Sequence, residues 1–567
     1  MKLTSLLFIT LLVAVGVSTQ TPRPAADSPL VKQEECNISG MVVEFGGSKP
    51  LKGSRIKLQG TDDHARSASS VADASGHFAV KKVQPGRYRL TVSKAGYVTQ
   101  EYGQRKPGDP GAALTLRAGQ DLKDLLFRLI PSAVISGRVL DEEGQPLQLA
   151  VVTATREVYN EGKRVFSAEA TFQTNDLGEF RLFGLPPGRY LVSAVYRSEK
   201  FERGGFLWQE PTQDSGEPEL GYAKIYYPGT VDPARASPLI VKAGEEISSI
   251  EFLLRQVRVY RVRGHVYNLI SPQRRNAAQL TLFPNESAPE WDAAQQAFSD
   301  PGDGSFEIRN VLPGSYILIA YSFDEGKTVR SARTVVDVGE GDVGGVSLTI
   351  ASGMTINGQI LWDGPACSQE GDFLVMPMPL DRTAVYTSGS TRVDAKNAFT
   401  LKDMNDGTYR VNVWGVSKDC FVKDVQYGGA SAYELGFTVI HGAASTLEIT
   451  LSSRGARLQG NILDADNLPA AGVWVVLVPD PKHRTRFDLY KRQTTDQYGH
   501  FEFRGIPPGE YKLFSWDQAE EDAWQDPEFL KPFEEKGQLL EVKEGDQKTV
   551  NLVTIRPDPA GDKAVSP

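Results

Sequence analysis

Residues 178–190 read GEFRLFGLPPGRY, and this stretch decides the fold because it recurs. The same pattern stands at 76–88 (GHFAVKKVQPGRY), 304–316 (GSFEIRNVLPGSY), 397–409 (NAFTLKDMNDGTY) and 499–511 (GHFEFRGIPPGEY). The spacing from Phe to Tyr is 10 in every copy: Phe78–Tyr88, Phe180–Tyr190, Phe306–Tyr316, Phe399–Tyr409 and Phe501–Tyr511. One match of this kind is weak, but five in register are the signature of a repeat architecture.

Working outward, each copy is preceded by an apolar-x-Gly strand: Ile38-Ser-Gly40, Ile135-Ser-Gly137, Val262-Arg-Gly264, Ile356-Asn-Gly358 and Leu458-Gln-Gly460. Each is followed by a Gly-led turn and a β-rich run: LLFRL after Gly119, IEFLL after Gly244, VSLTI after Gly339, LEITL after Gly442 and VNLVT after Gly545. After each Tyr the residues alternate, as in Tyr88-Arg-Leu90-Thr-Val92, and a period of two with one apolar face is a half-buried strand. Pro sets φ near −65° and Gly accepts positive φ, so the Pro-Gly pair is read as the reversal between the Phe and Tyr strands. Short strands with turn signals and few helical patterns predict an all-β chain of five tandem antiparallel β-sandwiches of prealbumin/Ig-like type. The units are placed at 36–130, 131–256 (with a long insert near 197–231), 257–351, 352–453 and 454–556. About 100 residues suffices for one such core. The helix-like exception is Asp526-Pro-Glu-Phe-Leu530, where Asp caps and Pro opens a turn that Pro532 interrupts.

Composition excludes several classes. Over 567 residues the chain carries 71 acidic against 62 basic residues, which lacks the electrostatic footprint of a nucleic-acid binder. Three cysteines cannot make a four-thiolate zinc site, and six histidines make a histidine-rich centre a poor expectation. At the N-terminus, Lys2 precedes an apolar run from Leu6 to Val17 and then small and polar residues, the order of a secretory signal peptide over 1–20. A membrane anchor is the competing reading, but the run falls short of the ~20 residues that span a bilayer. Residues 21–35 are read as a flexible leader and 557–567 as a disordered tail. The chain is therefore expected to be exported, to the periplasm, outer surface or medium, with no transmembrane span after signal cleavage. No cell-wall sorting motif or outer-membrane barrel is read at its end.

The stretches ISGRVLDEEGQPLQLAVV (135–152), TNDLGEFRLFGLPPGRYLVSA (174–194) and LQGNILDADNLPAAGVWVVLVPD (458–480) resemble the carboxypeptidase regulatory-like domain family. YVTQEYGQRKPG (97–108), YYPGTVDPARASPLIVKAGEE (226–246) and FLKPFEEKGQLLEVKEG (529–545) resemble the tandem-domain secreted members found in soil bacteria such as acidobacteria. The resemblance implies a seven-stranded transthyretin-like sandwich, grouped with carbohydrate-binding-like folds, and it covers nearly the whole mature chain. The fourth unit departs most, with Asn397 for Gly and Asn405-Asp-Gly407 for Pro-Pro-Gly. In zinc carboxypeptidases this module is the non-catalytic one, and a fold by itself assigns no function.

No catalytic motif is read in the chain. The six histidines (His64, His77, His265, His441, His483 and His500) show no H-x-x-E or H-E-x-x-H pattern, and there is no G-x-S-x-G. A glycosidase carboxylate pair stays open on composition, but five repeats leave no room for a separate catalytic domain. The acidic turns Asp141-Glu-Glu-Gly144 and Asp464-Ala-Asp-Asn467 lack the twelve-residue calcium loop and are read as β-turns. No cofactor, metal or catalytic residue is expected. Cys367 and Cys420 both lie in unit 4, and export permits their pairing across a loop of about 54 residues, preferred here over two free thiols. Cys36 is left over.

Aromatics supply the functional lead. Alternation from each Tyr puts Ser93, Val195, Tyr321, Trp414 and Trp516 on the face opposite the core, and exposed aromatic rings stack on sugars. Tyr321, Trp414 and Trp516 are therefore candidate glycan contacts, with burial under a loop or neighbouring unit as the alternative. The insert of unit 2 adds Trp208, Tyr226 and Tyr227, since long inserts on rigid sandwiches often carry function. The leading expectation is a non-enzymatic binding or adhesive protein of the envelope, with a polysaccharide or an envelope protein as partner. The alternatives are a structural spacer or an accessory subunit of a transporter or hydrolase. Very short linkers, such as Leu129-Ile-Pro131-Ser-Ala-Val134, predict a semi-rigid rod.

Overall fold

A computed structural model describes residues 34–61, 66–196, 219–269, 278–285, 295–324, 328–380, 390–443 and 445–556. The expected signal peptide, most of the leader and the C-terminal tail lie outside these residues. The strands sort into five stretches, each with two facing sheets and its own buried core.

Unit 1 sets the plan. Its opening strand Cys36–Glu44 sits between His77–Val83, antiparallel, and the closing strand Asp121–Leu129, parallel. The facing sheet runs Ala68–Val71, Arg55–Gly60, Gly86–Ser93, with short strands Gln100–Glu101 and Leu114–Leu116 completing the edge. The sheets are thus mixed, not wholly antiparallel. In every unit the closing strand returns beside the opening one in the same direction. The all-β sandwich class stands, with one parallel pair per unit.

The repeat residues now have physical roles. Each opening Gly pairs directly with the repeat Phe: Gly40 with Phe78, Gly137 with Phe180, Gly264 with Phe306, Gly358 with Phe399 and Gly460 with Phe501. A methyl group at Gly40, Gly137, Gly264 or Gly460 would collide with a carbonyl of the closing strand (Leu125, Ile250, Val346 or Val550), and at Gly358 with the Phe399 ring. In the first three units the closing strand bulges there, with Asp124, Ser249 or Gly345 at positive φ. Glycine is needed because two backbones approach too closely for a Cβ.

Each repeat Tyr packs its ring into its core, fully buried in four units and partly at Tyr316, and donates its hydroxyl to the carbonyl four residues earlier: Tyr88 to Gln84 (2.7 Å), Tyr190 to Pro186 (2.7 Å), Tyr316 to Leu312 (2.8 Å), Tyr409 to Asn405 (3.0 Å) and Tyr511 to Pro507 (3.0 Å). This corner bond staples the turn to the strand that leaves it. Positive φ falls on the turn glycine in three units, at Gly86 (155°), Gly314 (159°) and Gly407 (151°), as the turn reading expects, but not at Gly188 or Gly509. In every unit it falls on the first residue of the motif (Gly76, Gly178, Gly304, Asn397, Gly499) and on the residue four beyond the Phe (Lys82, Gly184, Asn310, Asp403, Gly505). Asn397 substitutes for Gly because Asn tolerates that region.

The expected rod is corrected. Unit 5 folds back onto unit 1: Ala113 bridges Asp496 in parallel, Thr115 donates its amide to Gln497 (2.9 Å), Gln497 donates back to the Thr115 carbonyl (2.7 Å), and Thr494 donates to the Gly111 carbonyl (2.9 Å). Arg117 stacks over Tyr498 at 5.2 Å, Lys106 meets Gln518 at 2.6 Å, and Arg105 pairs with Asp517. Short linkers restrict each joint but do not fix its angle, and four successive joints here bring the ends together.

Candidate functional site

Trp414 is 57% exposed on the outer face of the unit 4 strand Gly407–Val416. Its cross-strand neighbours place Leu374 opposite Trp414, Met376 opposite Asn412 and Met378 opposite Arg410, so the half-exposed Leu and Met side chains share its face. Arg392, opposite Leu374, pairs with Asp372 at 2.7 Å at the edge of this patch. The result is a flat aromatic-and-thioether surface with a charged rim.

The other candidate aromatics are not on such a surface. Trp516 lies on the face that alternation predicts but is fully buried, a correction to its reading as a glycan contact. Its ring stacks on Phe514 (4.9 Å between centroids, 8° between planes) beneath the segment that carries Trp524, Phe529 and Phe533. Tyr321 is half-buried against Phe283 and Ile319, and burial pushes its hydroxyl up to about 12. Tyr226 is buried under the Lys224 ammonium (5.2 Å), and Tyr227 packs edge-on against Phe252 of the unit 2 core (6.4 Å). Both therefore belong to a loop folded over its own sandwich. Trp208 lies outside the described residues.

Cys367 and Cys420 are disulfide-bonded, and Cys36 is a buried thiol that donates to the Arg117 carbonyl (2.9 Å). The bridge fixes the turn that presents Asp419 to Arg457 (3.2 Å) and Arg504 of unit 5 (2.8 Å to Nε). Those guanidiniums, Arg504 foremost, hold the Asp419 carboxyl below its usual range. Beside it, Asp363 pairs with Lys423 and Arg454, and Glu544 of unit 5 accepts from Ser452 (2.8 Å). A single Asp next to a Cys offers no sequence signal for this joint, because its arginines are 38 and 85 residues away.

A cleft of about 200 Å³ lies at the same seam, lined by Tyr433 and Glu434 of unit 4 and by Asp480, His483, Pro507 and Tyr511 of unit 5. Its polar groups are engaged with one another: His483 with Glu434 (3.1 Å), Asp480 with the Lys482 amide (3.1 Å), and Arg486 over the Tyr433 ring (4.0 Å). Its size falls below the ~300 Å³ of ordinary ligand pockets.

The acidic turns use their carboxylates locally. Asp141 accepts from the amides of Glu143 and Gln145, and Asp464 from those of Asp466 and Leu468. The same Asx turn precedes the repeat Phe, at Asp73, Asn175, Asp394 and Asp496, each accepting from the amides two and four residues on. That Asp/Asn five residues before Phe was a readable signal that the repeat pattern above leaves out. Among the described residues, no group of three His, Cys, Asp or Glu is placed to hold a metal ion. Among them, too, no helix is long and apolar enough to cross a membrane.

Residues 37–129 and 134–204 match the carboxypeptidase regulatory-like domain. The human BOS complex subunits NOMO3 and NOMO1 are each 22% identical over 401 residues, 66% of this chain. The chain spans 28% of the length of those relatives. Among solved structures, GBS52, the minor pilin of Streptococcus agalactiae, is similar over 39% of this chain and 96% of that one, at 13% identity and a TM-score of 0.20. The major pilin subunit BcpA of Bacillus cereus is similar over 56% of this chain and 100% of that one, at 12% identity and a TM-score of 0.14.

Proposed function

Since its first two sandwiches are carboxypeptidase regulatory-like domains, we propose that the chain is a non-catalytic binding protein, exported and working at the cell envelope. Its contact surface is the outer face of unit 4 around Trp414. The observation that carries this reading is the exposure of that indole on a sheet face shared with Leu374, Met376 and Met378, where an apolar ring in water costs free energy that a ligand would recover. A polysaccharide is the ligand class that fits an exposed ring with a hydrogen-bonding neighbour such as Asn412. The signal-like Lys2 and the Leu6–Val17 run support export.

The test is retention on a glycan array and in polysaccharide pull-downs. Wild-type protein should bind at least one glycan, and Trp414→Ala should lose at least tenfold in affinity. Equal binding by both proteins overturns the assignment to this face. Turnover of a peptide or glycan panel by purified protein overturns the non-catalytic reading. A second reading, a scaffold that holds envelope partners in a fixed arrangement, is favoured by the contacts of unit 5 with units 1, 2 and 4. It predicts specific capture of a protein and no glycan binding.

A further inference from the structure

Among the described residues, only unit 5 carries a helical segment over the outer face of its second sheet; the segment touches unit 2, and the residues just before it touch unit 1. It comprises a turn at Ala523–Gln525, a helical turn at Pro527–Leu530 capped by Asp526 (2.9 Å to the Glu528 amide), and a further turn at Lys531–Lys536. None of it pairs with a strand. Side chains hold it: Trp524 and Leu530 are fully buried against Trp474 and Trp516, Arg492 pairs with Glu521 (3.2 Å) and Asp522, and Lys512 pairs with Glu534 (2.9 Å). Beneath it the indole N–H groups of Trp474, Trp516 and Trp524 are buried with no acceptor. Such groups are costly to bury, so the covered state depends on what else holds the segment down.

What else holds it is the hairpin Val151–Asn160 and Lys163–Gln173 of unit 2. These strands are longer than the corresponding hairpin of unit 1, Arg55–Gly60 and Ala68–Val71, and only Val151–Thr155 is backed by Gly188–Val195. The projecting tip lies on the segment. Tyr159 packs edge-on against Phe529 at 6.5 Å, and a methyl group at Gly162 would come within 2.5 Å of the Gln525 carbonyl. Arg164 is braced on Tyr159 at 3.1 Å, and Glu520 at the start of the segment has its carboxyl pKa raised by desolvation, with the charges of Arg164 and Arg156 opposing that rise. Unit 1 grips the residues just before the segment through Arg105 to Asp517 and Lys106 to Gln518 (2.6 Å).

We propose that residues 519–536 form a lid over the tryptophan face of unit 5, that the unit 2 hairpin is the strap that keeps it shut, and that releasing the strap uncovers Trp474, Phe514 and Trp516. Closure of the chain and burial of that face are then one equilibrium. This inference does not rest on the reading of Trp414, which lies on another unit.

The experiment is amide hydrogen exchange on the full chain. In the double variant Tyr159→Ala with Arg164→Glu, exchange across 519–536 should rise at least tenfold, while the strands His500–Ile506 and Gly509–Trp516 keep their protection. Tryptophan fluorescence should become more accessible to acrylamide. Lid protection equal to wild type overturns the coupling. If the substitutions unfold unit 2, the converse arm decides: Tyr159→Cys with Phe529→Cys, bridged by a short bismaleimide, should slow lid exchange at least threefold relative to the unbridged protein. No slowing overturns the proposal.

Discussion

Lys82, Asn310 and Asp403 hold the left-handed conformation that Gly184 and Gly505 hold at the same repeat position. For a residue with a Cβ that region costs roughly 1–2 kcal/mol, more than the chain entropy glycine loses on folding. Lys82, with its side chain exposed, is the clean site. Lys82→Gly should raise the stability of unit 1 by up to about 1 kcal/mol, read as a shift in its denaturant midpoint. The opposite holds at Gly137, where any side chain meets the Ile250 carbonyl. Gly137→Ala should cost at least ~3 kcal/mol and abolish the first cooperative transition of unit 2. The requirement for glycine was legible at these opening positions as a recurrence. Its cause was not, because the colliding carbonyl lies 82 to 113 residues further along the chain in the units where it bulges.

Among elements, the turn between the Phe and Tyr strands is fixed by the corner bond of the tyrosine. Tyr511→Phe keeps the ring and leaves the Pro507 carbonyl without its donor, which should cost about 1–2 kcal/mol in thermal or denaturant unfolding of unit 5. The disulfide constrains a longer element. Cys367→Ser with Cys420→Ser frees a loop spanning 53 residues and should destabilise unit 4 by about 2–4 kcal/mol, with faster proteolysis near Asp419 as the local sign. The face on which each side chain lies was legible from alternation, down to Trp516 facing outward, whereas the parallel direction of the closing strands was not. Nor was the burial of Trp516, because the cover is a helical segment whose short turns leave no periodic apolar pattern.

For the whole molecule, the joint between units 4 and 5 carries a pH dependence of known sign. The pKa of the Asp419 carboxyl is held below the ordinary 3.8 of an aspartate, chiefly by its hydrogen bond to Arg504. A lowered carboxylate contributes stability that is fully present above 3.8 and is lost as the pH falls through its depressed value. Acidification below pH ~4 should therefore loosen this joint, seen as faster exchange at Gly455 and Gly505, whereas Asp419→Asn should show the loosened joint at neutral pH already. Scattering at neutral pH should give a maximum dimension well short of five sandwiches laid end to end, since unit 5 contacts unit 1 through Asp496, Gln497 and Tyr498. The sequence by itself determined the recurring motif, the all-β sandwich class and the alternation of its strands, because each follows from periods of two and spacings of ten that a chain expresses locally. Tertiary structure alone decided which outward aromatics meet solvent and how the five copies are arranged. Those outcomes depend on contacts such as Thr115 with Gln497 and Tyr159 with Phe529, whose partners are 382 and 370 residues apart and obey no local period.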